Sequence, residues 1–291
     1  MTEKNQYISN DTKGNLVLIG GAEDKRRDKR ILKRILNLNN ADNIVIIPSA
    51  SSSPKGISDD YYYAFRRLGA KKINTLDIRK KSEADKMEHL EKIESAELIF
   101  FTGGDQVKLV NILGNTKLLK NILIKYKNGA TIAGTSAGAT AASDPMIYDG
   151  DYRGLTKGSI QHSEGFGFIN NLTIDTHFIA RGRLLRLSQF LTTGLSHKGI
   201  GLGEDTAIII YPSEHFEVLG SGVVTVVNGK DITYNNYEKI DTNNRLNING
   251  LKIGFLHEGC IFDLNDWKVV STCLADYQQV PIEIITPRLN N

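Results

Sequence analysis

The chain has 291 residues, of which 40% are hydrophobic and 24% charged, a globular composition with room for one large α/β domain or two small ones. Its formal net charge of +3 is too small to argue for a nucleic-acid partner, and no run of about 18 apolar residues argues for a membrane span. Two cysteines, Cys260 and Cys273, are too few for a disulfide framework and read as buried free thiols, which fits a reducing cytoplasm.

Residues 1–13 are polar and lack the apolar core of a secretory signal, so they read as a loose tail. Residues 14–291 read as one α/β domain, because no linker, internal repeat or low-complexity tract divides them. Short runs rich in Val, Ile and Leu come first, at Leu16–Ile19, Asn43–Pro48, Lys72–Leu76 and Leu98–Phe101. Helix-length segments separate them, at about 24–38, 58–69, 83–95 and 106–127, with Val107, Val110, Leu113 and Leu118 on one side of the last. Alternating strand and helix predicts a mostly parallel, doubly wound sheet flanked by helices, and continuous apolar strands agree with burial on both faces. The basic run Lys25–Arg30 precedes Ile31, Leu32, Ile35 and Leu36, and reads as the solvated face of an amphipathic helix.

The pattern changes after Leu202. Thr206–Tyr211, Phe216–Leu219 and Val223–Val227 are strand-like, with Gly222 and Asn228-Gly229 marking hairpin turns. With Leu251–Leu256 and Cys260–Leu264 they predict an antiparallel extension of the sheet.

Between the parallel part and this extension lie the residues with chemical potential. Gly129–Ala133 reads as a buried strand and Ala139–Ser143 as a helix start, with Gly134-Thr135-Ser136-Ala137-Gly138 between them. A glycine on either side of the serine permits a sharp strand-to-helix turn that holds the Ser136 hydroxyl out at the carboxyl end of a sheet. A serine at neutral pH is a poor nucleophile without a base and without donors for the oxyanion. Of the six histidines, His177 directly follows the strand-like Leu172–Asp175, where ligands gather in a doubly wound sheet, and is the best base. Glu204, in Gly201–Ala207, is the first choice for the acid that orients the imidazole, with Asp149, Asp151 and Asp205 open as alternatives. The amides of Gly104, in Phe100–Gln106, and of Ala137 make a plausible oxyanion pair. Arg183 and Arg186 share a helix face with Arg181 at its start, an arrangement suited to substrate carboxylates. Asp175 and Gln106 offer the opposite polarity, for a cationic group. Two glycines at Gly20-Gly21 could instead hold an anion in a catalytically silent protein.

Five runs in one order, Gly20–Lys25, Phe100–Gln106, Gly134–Ala139, Asp175–Phe178 with its arginines, and Gly203–Ala207, resemble the cyanophycinase family over about 14–227. The resemblance implies a serine exopeptidase of the aspartyl dipeptidase (peptidase E) clan, with a fold like class I glutamine amidotransferases and a homodimeric assembly. It implies Ser136 as nucleophile, His177 as base and Glu204 as its acid, with a substrate pocket of Gln106, Asp175, Thr176, Arg181, Arg183 and Arg186. The implied substrate is cyanophycin, a poly-aspartate bearing arginine on each β-carboxyl, released as β-aspartyl-arginine, and no metal or organic cofactor is required. An α-aspartyl dipeptidase of the same clan is the competing reading. At one position the chain departs from the family, which has glutamine where Thr176 stands. The shorter hydroxyl loses reach to substrate, which bears on selectivity and not on reaction class.

Overall fold

The computed structural model describes residues 13–150 and 154–272. The 1–12 stretch of the expected tail, Asp151 and Cys273 lie outside the described residues.

Five strands, β1 (Leu16–Ile19), β2 (Asn43–Ile47), β3 (Lys72–Thr75), β4 (Leu98–Phe101) and β5 (Thr131–Thr135), pair in parallel in the order β3-β2-β4-β5-β1. Helices α1 (Arg30–Leu38), α2 (Pro54–Arg67), α3 (Lys81–Ala84), α4 (Met87–Glu94), α5 (Gln106–Leu113), α6 (Lys117–Lys127) and the short α7 (Ala137–Ala141) connect or follow them. The pleat sends alternate residues to opposite faces. Val17, Ile19, Leu98 and Phe100 pack with Ile31, Leu32 and Phe65 of α1 and α2. Leu16, Leu18, Ile99 and Phe101 pack with Leu109, Leu113 and Ile122 of α5 and α6. Burial on both faces is the physical reason β1 and β4 are apolar throughout, whereas β3, at the sheet edge, is half-exposed and carries Lys72, Asn74 and Thr75.

Two helical segments are broken where the apolar period runs on. The 106–127 stretch stops at Gly114, and α6 restarts when the Thr116 hydroxyl caps the Leu119 amide at 3.1 Å. The 83–95 stretch breaks between α3 and α4 at Asp85 and Lys86. In the first of these segments Leu109, Ile112 and Leu113 carry the buried face, whereas Val107 and Val110 are half-buried.

Where one extension was expected, the strands from Thr173 on divide between a separate sheet and an extension of the main one, apart from a two-stranded ribbon of Tyr234–Asn235 with Ile248–Asn249. Strands β6 (Thr173–Asp175), β7 (Lys198–Leu202), β10 (Val224–Asn228) and β11 (Lys252–Leu256) form a separate sheet in the order β6-β7-β10-β11. Strands β8 (Thr206–Ile210), β9 (His215–Gly220), β12 (Cys260–Asp263) and β13 (Lys268–Thr272) instead extend the main sheet antiparallel from β1, which makes it nine-stranded among the described residues. The turn at Gly222 is therefore no hairpin, because it carries the chain from β9 in one sheet to β10 in the other. Asn228-Gly229 likewise leads away from β10, whose antiparallel partners are β7 and β11. Helix α8 (Leu184–Leu191) seals the smaller sheet through Leu187, Phe190 and Leu191 packed on Phe178 and Val227.

The basic run does not lie on a helix face, since α1 begins only at Arg30. The Asp24 carboxylate takes the amides of Arg26, Arg27 and Lys29, each at 2.9 Å, and so holds these residues in a turn. No helix among the described residues is long and apolar enough to cross a membrane.

Candidate active site

Parallel register brings the carboxyl ends of β1, β4 and β5 level, with Ile19 opposite Thr135 and Phe101 opposite Gly134. The three following loops therefore start side by side and form one half of the candidate site, and the smaller sheet supplies the other half from the segments after β6 and β7.

Ser136 follows β5 directly and occupies φ 50°, ψ −110°, a left-handed conformation that a non-glycine residue holds only when its surroundings enforce it. The two flanking glycines make the turn possible. A Cβ on Gly134 would lie 2.5 Å from Gly138, and one on Gly138 would lie 2.5 Å from the Phe101 carbonyl oxygen. Helix α7 thus sits directly on the sheet, and the Ser136 amide donates to the Ile19 carbonyl at 3.0 Å.

His177 comes from the smaller sheet, two residues past β6, and is also left-handed at φ 50°. Its amide donates to the Gly20 carbonyl at 2.9 Å, which moors it to the loop after β1. The ring lies against Gly21, where a Cβ would meet Cε1 at 2.4 Å. The next residue, Phe178, is fully buried, and Gly201 makes room for it, since a Cβ there would lie 2.2 Å from the phenyl ring.

The structure brings Ser136, His177 and Glu204 together. His177 Nε2 lies 2.9 Å from Ser136 Oγ, and Nδ1 lies 2.7 Å from Glu204 Oε1. The imidazole side chain is 12% exposed, while that of Glu204 is 46% exposed and meets water as well as the ring. Of the described acids weighed for that place, Asp205 and Asp149 lie elsewhere. Asp205 accepts from the Asp24 amide and the Ser221 hydroxyl, and Asp149 lines a hollow with Arg181 and Arg183.

Gly104 holds φ 143° and packs on Ala50, where a Cβ would lie 2.3 Å from the carbonyl oxygen. Its neighbour Gly103, which sequence reasoning passed over, faces the serine, since a Cβ on Gly103 would sit 3.9 Å from Ser136 Oγ. The paired glycines at a strand end were the signal for it. Gly21 was also missed in its true setting. The imidazole fills the space beside it and no helix starts there, so Gly20-Gly21 does not form the anion site considered from sequence.

The polar residues near the triad differ sharply in availability. Asp175 is fully buried and accepts from Arg183 Nη1 at 3.0 Å, Arg186 Nε at 2.9 Å, Arg186 Nη2 at 2.5 Å and the Thr176 amide at 2.9 Å. That corrects the expectation that Asp175 meets a substrate cation, because its acceptor positions are taken by the chain itself. Arg186, with a side chain 4% exposed, is committed to Asp175 in the same way. Arg183 is partly open, and Arg181 is exposed in the turn before α8. Burial holds the Arg183 guanidinium below its ordinary value. Asp175 opposes that, while Arg186 and Arg181 add to it, so positive charge is left over around one carboxylate. Thr176 is buried with its hydroxyl 3.4 Å from that of Thr140 in α7, and Gln106 donates to the Tyr148 carbonyl at 3.1 Å.

The profile of "Peptidase family S51" matches residues 16–218. A cyanophycinase of Geminocystis herdmanii is 35% identical over 87% of this chain and 93% of its own length. Cyanophycinases of Synechococcus elongatus and Trichormus variabilis are 33% and 34% identical, over 90% and 87% of this chain and 83% and 86% of their own. Among solved structures, a peptidase from an acI-B1 Actinobacterium superposes with a TM-score of 0.69 at 24% identity, over 89% of this chain and 100% of that one. A putative peptidase E protein from Listeria monocytogenes gives 0.53 at 20% identity, over 72% and 100%. At such identities these two structures speak for the fold alone.

Proposed function

The chain belongs to peptidase family S51 and is a serine-type peptidase of the cyanophycinase and peptidase E clan, and from that premise we propose that it hydrolyses cyanophycin to β-aspartyl-arginine through an acyl-enzyme. The observation that carries this reading is the unbroken hydrogen-bonded line from Ser136 Oγ through the His177 ring to Glu204. In the proposed reaction Ser136 Oγ attacks the α-peptide carbonyl of an aspartate residue while His177 Nε2 takes its proton. The amides of Ala137 and Gly104 hold the oxyanion. Collapse breaks the C–N bond, His177 returns the proton to the departing amine, and water then hydrolyses the ester by the same path. Glu204 stabilises the imidazolium, as a carboxylate hydrogen-bonded to Nδ1 does.

The substrate choice rests on charge. A poly-aspartate bearing arginine presents the free carboxylate of each arginine, and Arg181 and the open edge of Arg183 carry cationic donors that Asp175 does not neutralise. Asp175 and Arg186 support this pocket from beneath, holding the start of α8 to the end of β6.

The test is incubation of purified protein with cyanophycin and identification of the soluble product by mass spectrometry. The reading requires β-aspartyl-arginine, whereas cleavage of α-aspartyl dipeptides alone assigns the chain to that other specificity. Ser136→Ala should leave a folded protein with at least about a thousandfold less hydrolysis, in line with triad deletions. Near-normal turnover by that variant removes Ser136 from the mechanism.

A further inference from the structure

Beneath the triad lies a carboxylate that the steps above do not use. Glu23 sits in the loop after β1 and is 3% exposed. One of its oxygens accepts the Thr135 hydroxyl at 2.7 Å, and the other accepts the phenol of Tyr61 in a short hydrogen bond. Tyr61 is fully buried in α2, and burial, with Glu23's charge second, pushes its phenol well above the ordinary value, so it remains a donor. Both oxygens are therefore met by committed donors from two other elements. A carboxylate without them would be costly to bury.

Thr135 and the loop that carries Glu23 both adjoin the triad. Thr135 ends β5 and is bonded to Ser136, the residue held at positive φ. Two residues before Glu23, Gly21 lies against the His177 ring, and Gly20 accepts the His177 amide. The Gly21 carbonyl accepts the amide of Asp205, the neighbour of Glu204, at 2.8 Å. One short loop thus touches the backbone supports of all three triad residues, and Glu23 is the side chain that ties this loop to β5 from within. We propose that Glu23 is a positioning residue, which fixes the loop after β1 against Thr135 so that the His177 imidazole and the Ser136 hydroxyl are held within hydrogen-bond reach. It touches neither substrate nor reacting atoms, and the inference rests on the reading of Ser136 and His177 given above.

The test compares Glu23→Ala, Glu23→Gln and Thr135→Val with wild type on cyanophycin, well below the melting temperature of each so that the folded fraction is constant. An ångström-scale misplacement can cost about a hundredfold. Glu23→Ala is accordingly expected to lower kcat about a hundredfold with KM within about twofold. Glu23→Gln should be rescued to within about tenfold, since an amide of equal size can still bridge two hydroxyls that reorient. Unchanged kcat in Glu23→Ala and Thr135→Val, whatever the melting temperature does, overturns the proposal.

A second readout needs no turnover. The His177 ring ¹⁵N signals are recorded with and without Ser136→Ala, in the wild-type and the Glu23→Ala backgrounds. Ser136→Ala should displace the Nε2 signal in the wild type and much less once Glu23 is gone. Equal displacement in both backgrounds, or none in either, sinks the positioning role. Should Glu23→Ala fail to fold, Thr135→Val takes its place in both measurements. Should the wild type leave cyanophycin intact, the proposed substrate falls, and the imidazole signals still decide the role of Glu23.

Discussion

At the position of Gly21 a single hydrogen atom separates a seated His177 imidazole from a displaced one. Alanine there would put Cβ 2.4 Å from His177 Cε1 while holding φ 98°, a region that side chains rarely adopt. The backbone strain costs about 1 kcal/mol, but the clash falls on the ring proposed as the base, so Gly21→Ala should lose about a hundredfold in kcat for a modest loss of stability. Labelling of Ser136 by a fluorophosphonate probe, followed alongside thermal unfolding, separates the two effects. Labelling at the wild-type rate would show that the ring finds another seat. The arginines make the opposite contrast. Removing Arg186 leaves the fully buried Asp175 carboxylate with only the Arg183 guanidinium and the Thr176 amide, and breaking one side of a buried pair typically costs about 3–5 kcal/mol, of which Arg183 spares part. Arg181 is exposed and carries no such load. Urea unfolding of Arg186→Ala should show that large loss, and Arg181→Ala a change under about 0.5 kcal/mol. On cyanophycin, Arg181→Ala should raise KM more than it does for an uncharged ester, and equal effects on both substrates would remove it from carboxylate recognition.

Among the elements, α5 shows how a cap joins stability to site geometry. Asp105 accepts the amides of Val107 and Lys108 at 2.8 and 3.0 Å, and its own amide donates to the Ala50 carbonyl. The helix start and the turn carrying Gly103 and Gly104 are thus fixed together. Asp105→Ala should lower unfolding free energy by about 1 kcal/mol, and Asp105→Asn should retain most of it, because asparagine caps comparably. Urea midpoints at constant m-value decide this, and equal losses in both variants would mean the carboxylate acts otherwise. The inner parallel strands β1, β2 and β4 could be read from sequence because a strand buried on both faces is nearly continuously apolar, while the edge strand β3 carries only Ile73 among polar residues. Helix breaks were harder, since the apolar period continues through Gly114-Asn115-Thr116 and only the glycine and the capping threonine betray the stop. The smaller sheet left no local signal. Val224–Asn228 and His215–Gly220 both read as strands, and which sheet each joins is decided by partners as distant as Lys198–Leu202 and Cys260–Asp263. Ser136, His177 and Glu204 could be singled out because each sits at a strand end, whereas Glu23 hides ahead of a basic run that makes its loop look solvated. Exposure was illegible too, for nothing in the spacing of Arg181, Arg183 and Arg186 tells that the last two bond Asp175 and the first does not.

Across the whole molecule, groups that the fold pushes to opposite ends of the pH scale bound its stability. Asp24 is held well below the usual carboxylate range by the amides of Arg27, Lys29 and Arg26, and Asp263 is lowered by the amides of Asp266 and Asn265. Salt-bridged Asp231 is lowered by Lys252, and Glu83 by the amide of Arg79. For a depressed acid the stabilisation is complete above the ordinary value near 4 and is lost as pH falls through the folded one. Tyr61, Tyr126 and Tyr211 are displaced upward, each first by burial, and for them the sign reverses. Their contribution is complete below the ordinary tyrosine value near 10 and drains away as pH rises past it. The buried Cys260 thiol and the salt-bridged Lys71 and Lys268, also raised, add to that alkaline loss, while Lys198, lowered by burial, opposes it. Urea midpoints measured against pH should therefore form a plateau from about 5 to about 9, falling on both sides. Tyr126→Phe removes one of the alkaline contributors without touching the triad, so its midpoints should fall less steeply above about pH 10 and follow the wild type in acid. An alkaline limb of unchanged slope in that variant, or wild-type midpoints still climbing beyond pH 10, would show that the buried phenols do not set the upper edge.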